Sequence, residues 1–407
     1  MVEYSDTLSK DGIDRKQRRK GISMNEIPIK VLSIFGTRPE AVKMAPLVKA
    51  LEKEERFQSI VCVTAQHREM LDAVLGLFQI TPDEDLNIMK HGQTMTDITI
   101  RVLEGLQKIL QKIKPDYVLV HGDTTTTFVA SLAAFYQKIP VGHVEAGLRT
   151  GNPYSPYPEE MNRRLTGDIA SIHFAPTEKN RDHLLREGIS AVKIHVTGNT
   201  VIDALLSVVD PEYDFEDPLL NGLVRKTAHN PLIVMTCHRR ENWGKPMEQI
   251  FEAVKQIARR YPEHRIVYPV HMNPAIRQMA EAIMGKENNI FLIKPLDYAP
   301  FANLLAKARL ILTDSGGIQE EAPALGVPIL VLRTETERPE AVEAGTVHVT
   351  GIRTEDIIRD TARLLDSEAA WKEMANAVNP YGDGTASPKI VQALLKELSE
   401  ESVESLK

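Results

Sequence analysis

The chain has 407 residues, of which 43% are hydrophobic and 26% charged, as is typical of a globular protein with room for two domains. Its 49 basic and 56 acidic residues give a formal net charge of −7, which argues against nucleic acid or an anionic membrane surface as a partner. Two cysteines in apolar, strand-like runs predict buried thiols in a reducing compartment, and no apolar run approaches the length of a membrane span.

Residues 1–27 differ in composition from the rest of the chain. They combine a basic run with acidic residues and lack the apolar stretch of a secretory signal. We interpret them as a disordered tail, and a basic targeting or interaction arm is the alternative. The fold prediction therefore starts at residue 28.

From Ile29 onward, short apolar runs alternate with longer amphipathic segments. These runs are rich in β-branched residues and too short for buried helices, so they predict strands. In chain order they are Val31–Phe35, Ile60–Thr64, Tyr117–Val120, Val141–Val144, Ile172–Phe174, Ile194–Val196, Leu232–Thr236, Ile266–Tyr268, Ile290–Ile293, Leu310–Thr313, Ile329–Leu332 and Val347–Val349. The alternation predicts parallel sheets with helices on both faces.

Asp210–Asn230 interrupts this alternation with prolines, acidic residues and an Asn-Gly pair, and we interpret it as a connection between domains. The expected fold class is therefore α/β, with two doubly wound, Rossmann-like domains at residues 28–199 and 200–381. Ligands of such sheets bind beyond the carboxyl ends of the strands, often between domains. We therefore expect an interdomain cleft whose functional residues directly follow the apolar runs.

Gly36–Glu40 follows the first apolar run, and Lys43 lies one helical turn further on. A helix start leaves amide N–H groups unpaired, so these amides, the helix dipole, Arg38 and Lys43 together predict an anion site. A turn with solvated charges is the alternative. No Gly-x-Gly-x-x-Gly fingerprint follows an early strand, so no tightly bound nicotinamide and no other cofactor is predicted.

Three carboxylates, those of Asp123, Glu145 and Glu159, lie near the ends of consecutive predicted strands. Each has a simpler explanation when taken alone. Asp123 suits the N-cap of the following helix, and Glu159 stands four residues before Arg163, as in a helix salt bridge. Taken together, the three side chains predict acid–base chemistry, which needs positioned proton donors and acceptors.

Two strand ends in the second half of the chain predict phosphate binding. His238 and two arginines follow Leu232–Thr236, where cations suit a diphosphate and His238 can exchange a proton; a surface loop is the alternative. Ser315, Gly316 and Gly317 open a helix after Leu310–Thr313, which brings backbone amides close to phosphate oxygens. Glycines that only permit tight strand–helix packing are the alternative there.

Further residues of the second half complete this predicted nucleotide site. Glu320 or Glu321, one turn into the helix, can accept hydrogen bonds from ribose hydroxyls. Phe301 is a core residue by default and a stacking surface for a base otherwise. The twelve histidines show neither the His-Glu-x-x-His pattern nor clustered Cys/His spacing, so no metal site is predicted.

Several of these segments together resemble the non-hydrolysing UDP-N-acetylglucosamine 2-epimerases of bacteria. In chain order they are FGTRPEAVKMAP, TAQHREML, LVHGDTTTT, VGHVEAGLRTG, SPYPEEMNR, HRREN, YPVHMNP, LTDSGGIQEEAP, TERPEAVEAGT and NPYGDG. The resemblance covers nearly everything except the N-terminal tail. It implies a glycosyltransferase-B-like fold with UDP in the cleft and a last helix, within residues 382–407, that returns to the first domain.

The resemblance also implies roles for individual residues. The acid–base carboxylates are Asp123, Glu145 and Glu159, and His238 is the cleft histidine. The nucleotide-contacting positions are Arg38, Lys43, Arg163, Ser315, Gly316, Glu321 and Arg338, with Phe301 beside the uracil. A second, regulatory substrate site would include Gln66, His67 and Arg68, and the protein would be a homodimer.

The implied activity is a cytoplasmic interconversion of UDP-N-acetylglucosamine and UDP-N-acetylmannosamine that supplies N-acetylmannosamine units for cell-surface polysaccharide. The C2 proton has no adjacent carbonyl, so direct deprotonation is unattractive. Without a nicotinamide, elimination of UDP to 2-acetamidoglucal followed by re-addition remains. The alternatives are a hydrolysing epimerase that releases UDP and free N-acetylmannosamine, a glycosyltransferase of the same fold, and a non-catalytic UDP-sugar sensor.

Overall fold

In a computed structural model of the protein, the described residues are 28–65, 68–90, 92–225 and 231–404. The predicted tail at residues 1–27 and two of the three predicted regulatory residues, Gln66 and His67, lie outside these ranges. The chain divides into two compact units. One consists of the part up to Thr200 together with the part from Thr385 onward, and the other is Val201–Gly384.

The first unit contains a parallel sheet of seven strands in the order β3-β2-β1-β4-β5-β6-β7. The strands are β1 (Ile29–Phe35), β2 (Phe57–Val63), β3 (Glu84–Asp85), β4 (Tyr117–His121), β5 (Val141–Val144), β6 (Ile172–Ala175) and β7 (Ile194–Val196). The helices between them are α1 (Arg38–Glu52), α2 (Arg68–Leu77), α3 (Met95–Ile113), α4 (Thr125–Tyr136), α5 (Glu159–Ile169) and α6 (Glu178–Arg186). The strand order reverses between β1 and β4, where ligands of doubly wound sheets bind.

The second unit repeats this architecture with a parallel sheet of six strands in the order β10-β9-β8-β11-β12-β13. The strands are β8 (Leu232–Thr236), β9 (Arg265–Pro269), β10 (Ile290–Ile293), β11 (Leu310–Thr313), β12 (Ile329–Val331) and β13 (Val347–Val349). The helices are α7 (Thr200–Val208), α8 (Pro218–Arg225), α9 (Lys245–Arg260), α10 (Pro274–Met284), α11 (Tyr298–Ala306), α12 (Gly316–Glu321), α13 (Pro339–Glu343), α14 (Thr354–Asp366) and α15 (Glu368–Ala375). Its sheet order reverses between β8 and β11.

Both sheets are buried between helices, because their strands are apolar on both faces. The central strands β4 and β8 are buried at every residue. The last helix, α16 (Ala386–Glu404), packs against α1 in the first unit. The predicted α/β class with two doubly wound parallel sheets is confirmed.

The predicted domain connection at Asp210–Asn230 is wrong. Its middle part forms α8, and four apolar side chains of this stretch are buried in the core of the second unit: Phe215, Leu220, Leu223 and Val224. Three of them, at spacings of three and four residues, mark one face of a helix, which the neighbouring prolines and acids obscured. The two units meet along the chain at Thr200–Val201, beside the end of the first predicted domain at residue 199.

None of the helices in the described ranges is both long and apolar enough to cross a membrane. Within the same ranges, His, Cys, Asp and Glu side chains form no group of three or more that could hold a metal ion.

Candidate functional site

Asp123 lies in the turn between β4 and α4, directly after Gly122, whose φ of +66° permits the sharp change of direction. The helix is capped by Thr124, whose hydroxyl accepts a hydrogen bond from the Thr127 amide. The N-cap alternative for Asp123 is therefore wrong. The Asp123 carboxylate does not cap α4, and it contacts α5 instead.

Helix α5 holds Asp123 by both its side chain and its backbone. The guanidinium of Arg163 lies 2.8 Å from Asp123 Oδ2, and the side-chain amide of Asn162 donates to the Asp123 carbonyl at 3.0 Å. The predicted salt bridge between Glu159 and Arg163 is therefore replaced by a pair between Asp123 and Arg163. Toward Glu159, the Arg163 side chain donates from its Nε to the backbone carbonyl at 3.3 Å.

The protonation of Asp123 is set by opposing influences. Burial raises the pKa of its carboxyl group, the charges of Arg163 and Lys43 oppose the rise, and the carboxylates of Glu145 and Glu159 add to it. The net pKa is raised above the ordinary value for Asp. Because Glu145 and Glu159 both influence Asp123, the three predicted acid–base carboxylates share one electrostatic environment.

Glu145 follows β5 and takes a left-handed backbone conformation, with φ of +62°, that is rare for a residue other than glycine. Lys43 Nζ lies 2.5 Å from its Oε1, and the side-chain amide of Asn199 donates to the same oxygen at 2.9 Å. His121 Nε2 lies 3.3 Å from Oε2. Backbone strain of this kind is concentrated at functional sites, where surrounding contacts maintain it.

The contacts of Glu145 make it a firmly ionised carboxylate. Burial alone would favour the neutral acid, but the charge of Lys43, the neighbouring His121 and the hydrogen bonds from Lys43 and Asn199 lower its pKa to about 2. Asp123 and Glu145 therefore differ in protonation behaviour although they follow adjacent strands of one sheet.

Glu40 organises the turn between β1 and α1. Its Oε2 accepts hydrogen bonds from the amides of Gly36 at 3.1 Å and Thr37 at 2.8 Å, and Thr37 caps the helix in return. Its Oε1 accepts a hydrogen bond from the Thr124 hydroxyl at 2.7 Å. These two amides of the predicted anion site are therefore occupied, and its cation Lys43 is paired with Glu145.

In the second unit, the turn after β11 lies against two arginines. A methyl group added at Gly316 would be 3.3 Å from Arg239 Nη2 and 3.8 Å from Arg338 Nη2. Arg338 is in turn held by a hydrogen bond to Glu320. Two guanidinium groups therefore face the turn that was predicted to bind phosphate, and a side chain at Gly316 would come between that turn and the arginines.

The remaining predicted nucleotide contacts lie on α11, on α12 and at the residue before α12. The Tyr298 hydroxyl is 3.3 Å from Glu321 Oε2, and a side chain at Gly317 would be 3.4 Å from Glu321 Oε1. Phe301 is partly buried against the apolar core of the second unit, as the default interpretation held. Ser315 precedes α12, and its amide donates to the Thr313 hydroxyl at 3.0 Å.

Arg68 is the one described residue of the predicted regulatory set. It forms ion pairs with Asp72, at 2.9 Å, and with Asp85, and its side chain is 43% exposed. Arg68 is the first residue of α2. The regulatory role stays a prediction.

Sequence reasoning missed several residues that shape these sites. Asn199 and His121 contact the Glu145 carboxylate, Asn162 donates to the backbone carbonyl of Asp123, and Glu40 joins two turns. A signal for Glu40 was present, because Thr37 followed by a glutamate three residues later is a capping box. Asn199 follows β7 as Glu145 follows β5, so a search of every strand end would also have found it.

Three buried histidines of the first sheet give the protein a predicted sensitivity to acid. Burial lowers the pKa of His121 to about 4, of His143 to about 3 and of His173 to about 4. The unfolded chain binds protons at these positions below about pH 6.5, whereas the folded chain stays neutral there. We therefore expect the free energy of unfolding to be highest above pH 6.5 and to fall as the pH decreases toward 4.

His173 offers the sharpest test, because both of its ring nitrogens are buried without a hydrogen-bond partner among the described residues. Urea denaturation at pH 7.5 and pH 5 measures the effect in the wild type and in His173→Leu. The leucine variant should lose less stability between the two pH values, by roughly 1–3 kcal/mol. An equal loss in both proteins would contradict the assignment.

Comparisons with known proteins give a consistent result. Residues 49–395 match the family model described as UDP-N-acetylglucosamine 2-epimerase. The chain is 56% identical over 370 residues to proteins of that name from Yersinia pestis and Escherichia coli, covering 90% of this chain and 98% of each relative. A Neisseria meningitidis UDP-GlcNAc 2-epimerase solved with UDP-GlcNAc superposes with a TM-score of 0.79 at 51% identity, over 90% of this chain and all of that chain. A similar Listeria monocytogenes structure gives 0.87 at 54% identity, over 92% of this chain and 98% of that one.

Proposed function

The chain belongs to the UDP-N-acetylglucosamine 2-epimerase family, and we propose that it inverts C2 by eliminating UDP and adding it back. The reaction interconverts UDP-N-acetylglucosamine and UDP-N-acetylmannosamine. One observation carries the mechanism: two carboxylates on adjacent strand ends have pKa values shifted in opposite directions, that of Asp123 upward and that of Glu145 to about 2. When the pKa values of two carboxyl groups in one site are shifted in opposite directions, the two groups can take different catalytic roles.

The chemistry explains why elimination is favoured. The C2–H bond has no neighbouring carbonyl to stabilise a carbanion, so removal of the proton must accompany loss of a leaving group. In the forward step a base takes the C2 proton, the C1–O bond breaks, and UDP departs with the bonding electrons to leave 2-acetamidoglucal. In the reverse step UDP attacks C1 and an acid delivers a proton to C2 on the opposite face. The net change is inversion at C2.

Asp123 is proposed to exchange the C2 proton, because its raised pKa makes the carboxylate a better proton acceptor than an ordinary aspartate. Glu159 is proposed to exchange the proton on the opposite face. Glu145 is proposed to remain ionised and to stabilise the positive charge that develops at C1 as the bond to UDP breaks. His121 and Asn199 hold Glu145 in place for this role.

The cationic side chains are proposed to bind the diphosphate. In the second unit these are His238, Arg239 and Arg338, with the backbone at Ser315, Gly316 and Gly317. Glu321 is proposed to accept hydrogen bonds from the ribose, with Phe301 beside the base. Lys43, Arg163 and Arg38 of the first unit are proposed to add to the charge that stabilises the departing UDP.

A single experiment tests the function and the route. UDP-N-acetylglucosamine is incubated with the protein in deuterated water, and the products are followed by NMR. We expect intact UDP-N-acetylmannosamine that carries deuterium at C2. Accumulation of UDP and free N-acetylmannosamine would instead identify a hydrolysing enzyme, and binding without turnover or exchange would identify a sensor.

Three wider properties accompany this proposal. The enzyme acts in the cytoplasm as a homodimer and supplies N-acetylmannosamine units for cell-surface polysaccharide. The resemblance to bacterial enzymes of this family supports all three properties. The use of a nucleotide sugar as substrate further supports the cytoplasmic location and the role in polysaccharide synthesis. Size-exclusion chromatography with light scattering tests the dimer.

A further inference from the structure

Asp314 is a completely buried carboxylate that joins two turns of the second unit. It directly follows β11 and precedes Ser315. Its Oδ2 accepts three hydrogen bonds from the turn after β8, from the amides of His238 and Arg239, both at 2.8 Å, and from the Asn242 side chain at 3.1 Å. One oxygen atom therefore holds the turn that carries His238 against the turn that was predicted to bind phosphate.

The other carboxylate oxygen of Asp314, Oδ1, accepts none of these three hydrogen bonds. It is buried and has no hydrogen-bond partner among the residues that the structure describes. His238 Nδ1 lies 3.5 Å from it. The buried Cys237 thiol also lies beside Asp314, and burial and the Asp314 charge both raise the pKa of that thiol, but a thiol is a weak donor. Buried polar atoms are almost always paired, so the imidazole nitrogen is the stronger candidate donor to Oδ1.

Aromatic and charged side chains surround His238 on its buried side. The ring of His271 stacks on it, with centroids 6.0 Å apart and an angle of 13° between the planes. Trp243 Nε1 donates to the His238 carbonyl at 3.4 Å, and Arg239 is the adjacent cation. Burial lowers the pKa of His238, the charges of Arg239 and His271 act in the same direction, and the charge of Asp314 opposes them. The His238 side chain is 40% exposed, so part of the ring is open to a ligand.

We propose that Asp314 is the positioning residue for His238, and that its Oδ1 accepts the Nδ1 proton of the imidazole when substrate is bound. A neutral imidazole carries one proton, so fixing it on Nδ1 leaves Nε2 as the atom that faces the diphosphate and exchanges a proton with it. Hydrogen bonds of this kind are often long without ligand and shorten with substrate. The inference rests on the proposed function in one respect, namely that His238 acts on the substrate.

The variant Asp314→Asn tests whether Asp314 orients the His238 imidazole or only links the two turns. The asparagine can place its carbonyl oxygen where Oδ2 accepts three hydrogen bonds, which preserves the link between the turns. Its NH2 group then faces His238 Nδ1 as a donor, so the imidazole proton is forced onto Nε2. The matched control is Asn242→Ala, which removes the hydrogen bonds from Asn242 to Oδ2 and to the Leu332 carbonyl but does not alter a group at Oδ1 or at His238 Nδ1.

The test uses the full-length protein labelled with 15N-histidine, with UDP as the probe ligand. The His238 signal is assigned by its loss in His238→Asn, and its nitrogen shifts report the tautomer. We expect a proton on Nδ1 in the wild type and in Asn242→Ala, and on Nε2 in Asp314→Asn. Deuterium incorporation at C2 should fall about 100-fold or more in Asp314→Asn, by analogy with other carboxylates that orient a histidine.

The outcomes distinguish this inference from the proposed function. If His238 in the UDP-bound wild type carries its proton on Nε2 alone, or if Asp314→Asn leaves the tautomer unchanged, the positioning role is wrong whatever the activity. The wild-type measurement decides the question even if a variant fails to fold. If the wild type shows no C2 exchange, the proposed function fails, whereas the tautomer result still stands.

Discussion

Asp123→Asn is expected to reduce turnover by about 10³-fold while UDP binding remains measurable, because general acid–base catalysis contributes effects of this size. The asparagine is nearly identical in shape, and its carbonyl oxygen can still accept the hydrogen bond from Arg163. The contact from Asn162 to the backbone carbonyl is also unaffected. The variant therefore removes a titratable group and little else, so the loss should appear in kcat.

The measurement is the rate of UDP-N-acetylmannosamine formation, with UDP affinity determined by calorimetry. Asp168→Asn is the matched control, because Asp168 is an exposed aspartate on the same helix that holds Asp123. That control should retain the wild-type rate. A rate within a few-fold of wild type for Asp123→Asn would exclude Asp123 as the proton-exchanging group.

Glu145→Gln is expected to lower kcat by about 10²–10³-fold, the range found when one preorganised electrostatic contact is removed from an active site. Glutamine retains the shape of the side chain and can accept a hydrogen bond from Asn199, but it has no charge to stabilise C1. Lys43 would lose the carboxylate that lies 2.5 Å from its Nζ in the wild type. If Lys43 contacts the diphosphate as proposed, UDP should bind more tightly to the variant.

A combination of slower turnover and tighter UDP binding is difficult to obtain from partial unfolding, which would weaken binding. Glu104→Gln, at an exposed position on α3, is the control for the change of glutamate to glutamine. A weaker affinity for UDP together with a normal rate would contradict both roles of Glu145, as stabilising charge and as partner of Lys43.

The fold was largely readable from the sequence, because parallel sheets buried on both faces leave a simple alternation of apolar runs. The exception was the stretch that contains α8. Prolines and acidic residues dominate its composition, whereas its contribution to the core depends on a few apolar residues at helical spacing. In this stretch, the spacing of the apolar residues therefore indicated the helix better than the overall composition did.

The sequence predicted which strand ends carry site residues, but it did not predict which of those residues contact one another. Asp123 and Glu145 were found because adjacent parallel strands bring their carboxyl ends together. Arg163 and Lys43 were also predicted as site residues, but their ion pairs with these carboxylates were not, because both cations come from other elements of the fold. The pairing of Arg163 with Asp123 in place of Glu159 depends on how α5 docks against the sheet, which no local pattern encodes.

Glu40 has a consequence for how this protein can be altered. Its carboxylate accepts hydrogen bonds from the turn that precedes Arg38 and from the hydroxyl beside Asp123, so neither turn is an independent module. In a chimera between two relatives, a crossover placed between α1 and β4 would combine turns that did not evolve together. The segment from Gly36 to Thr127 is therefore the smallest piece of this region to exchange as a whole, although its two ends lie far apart along the chain.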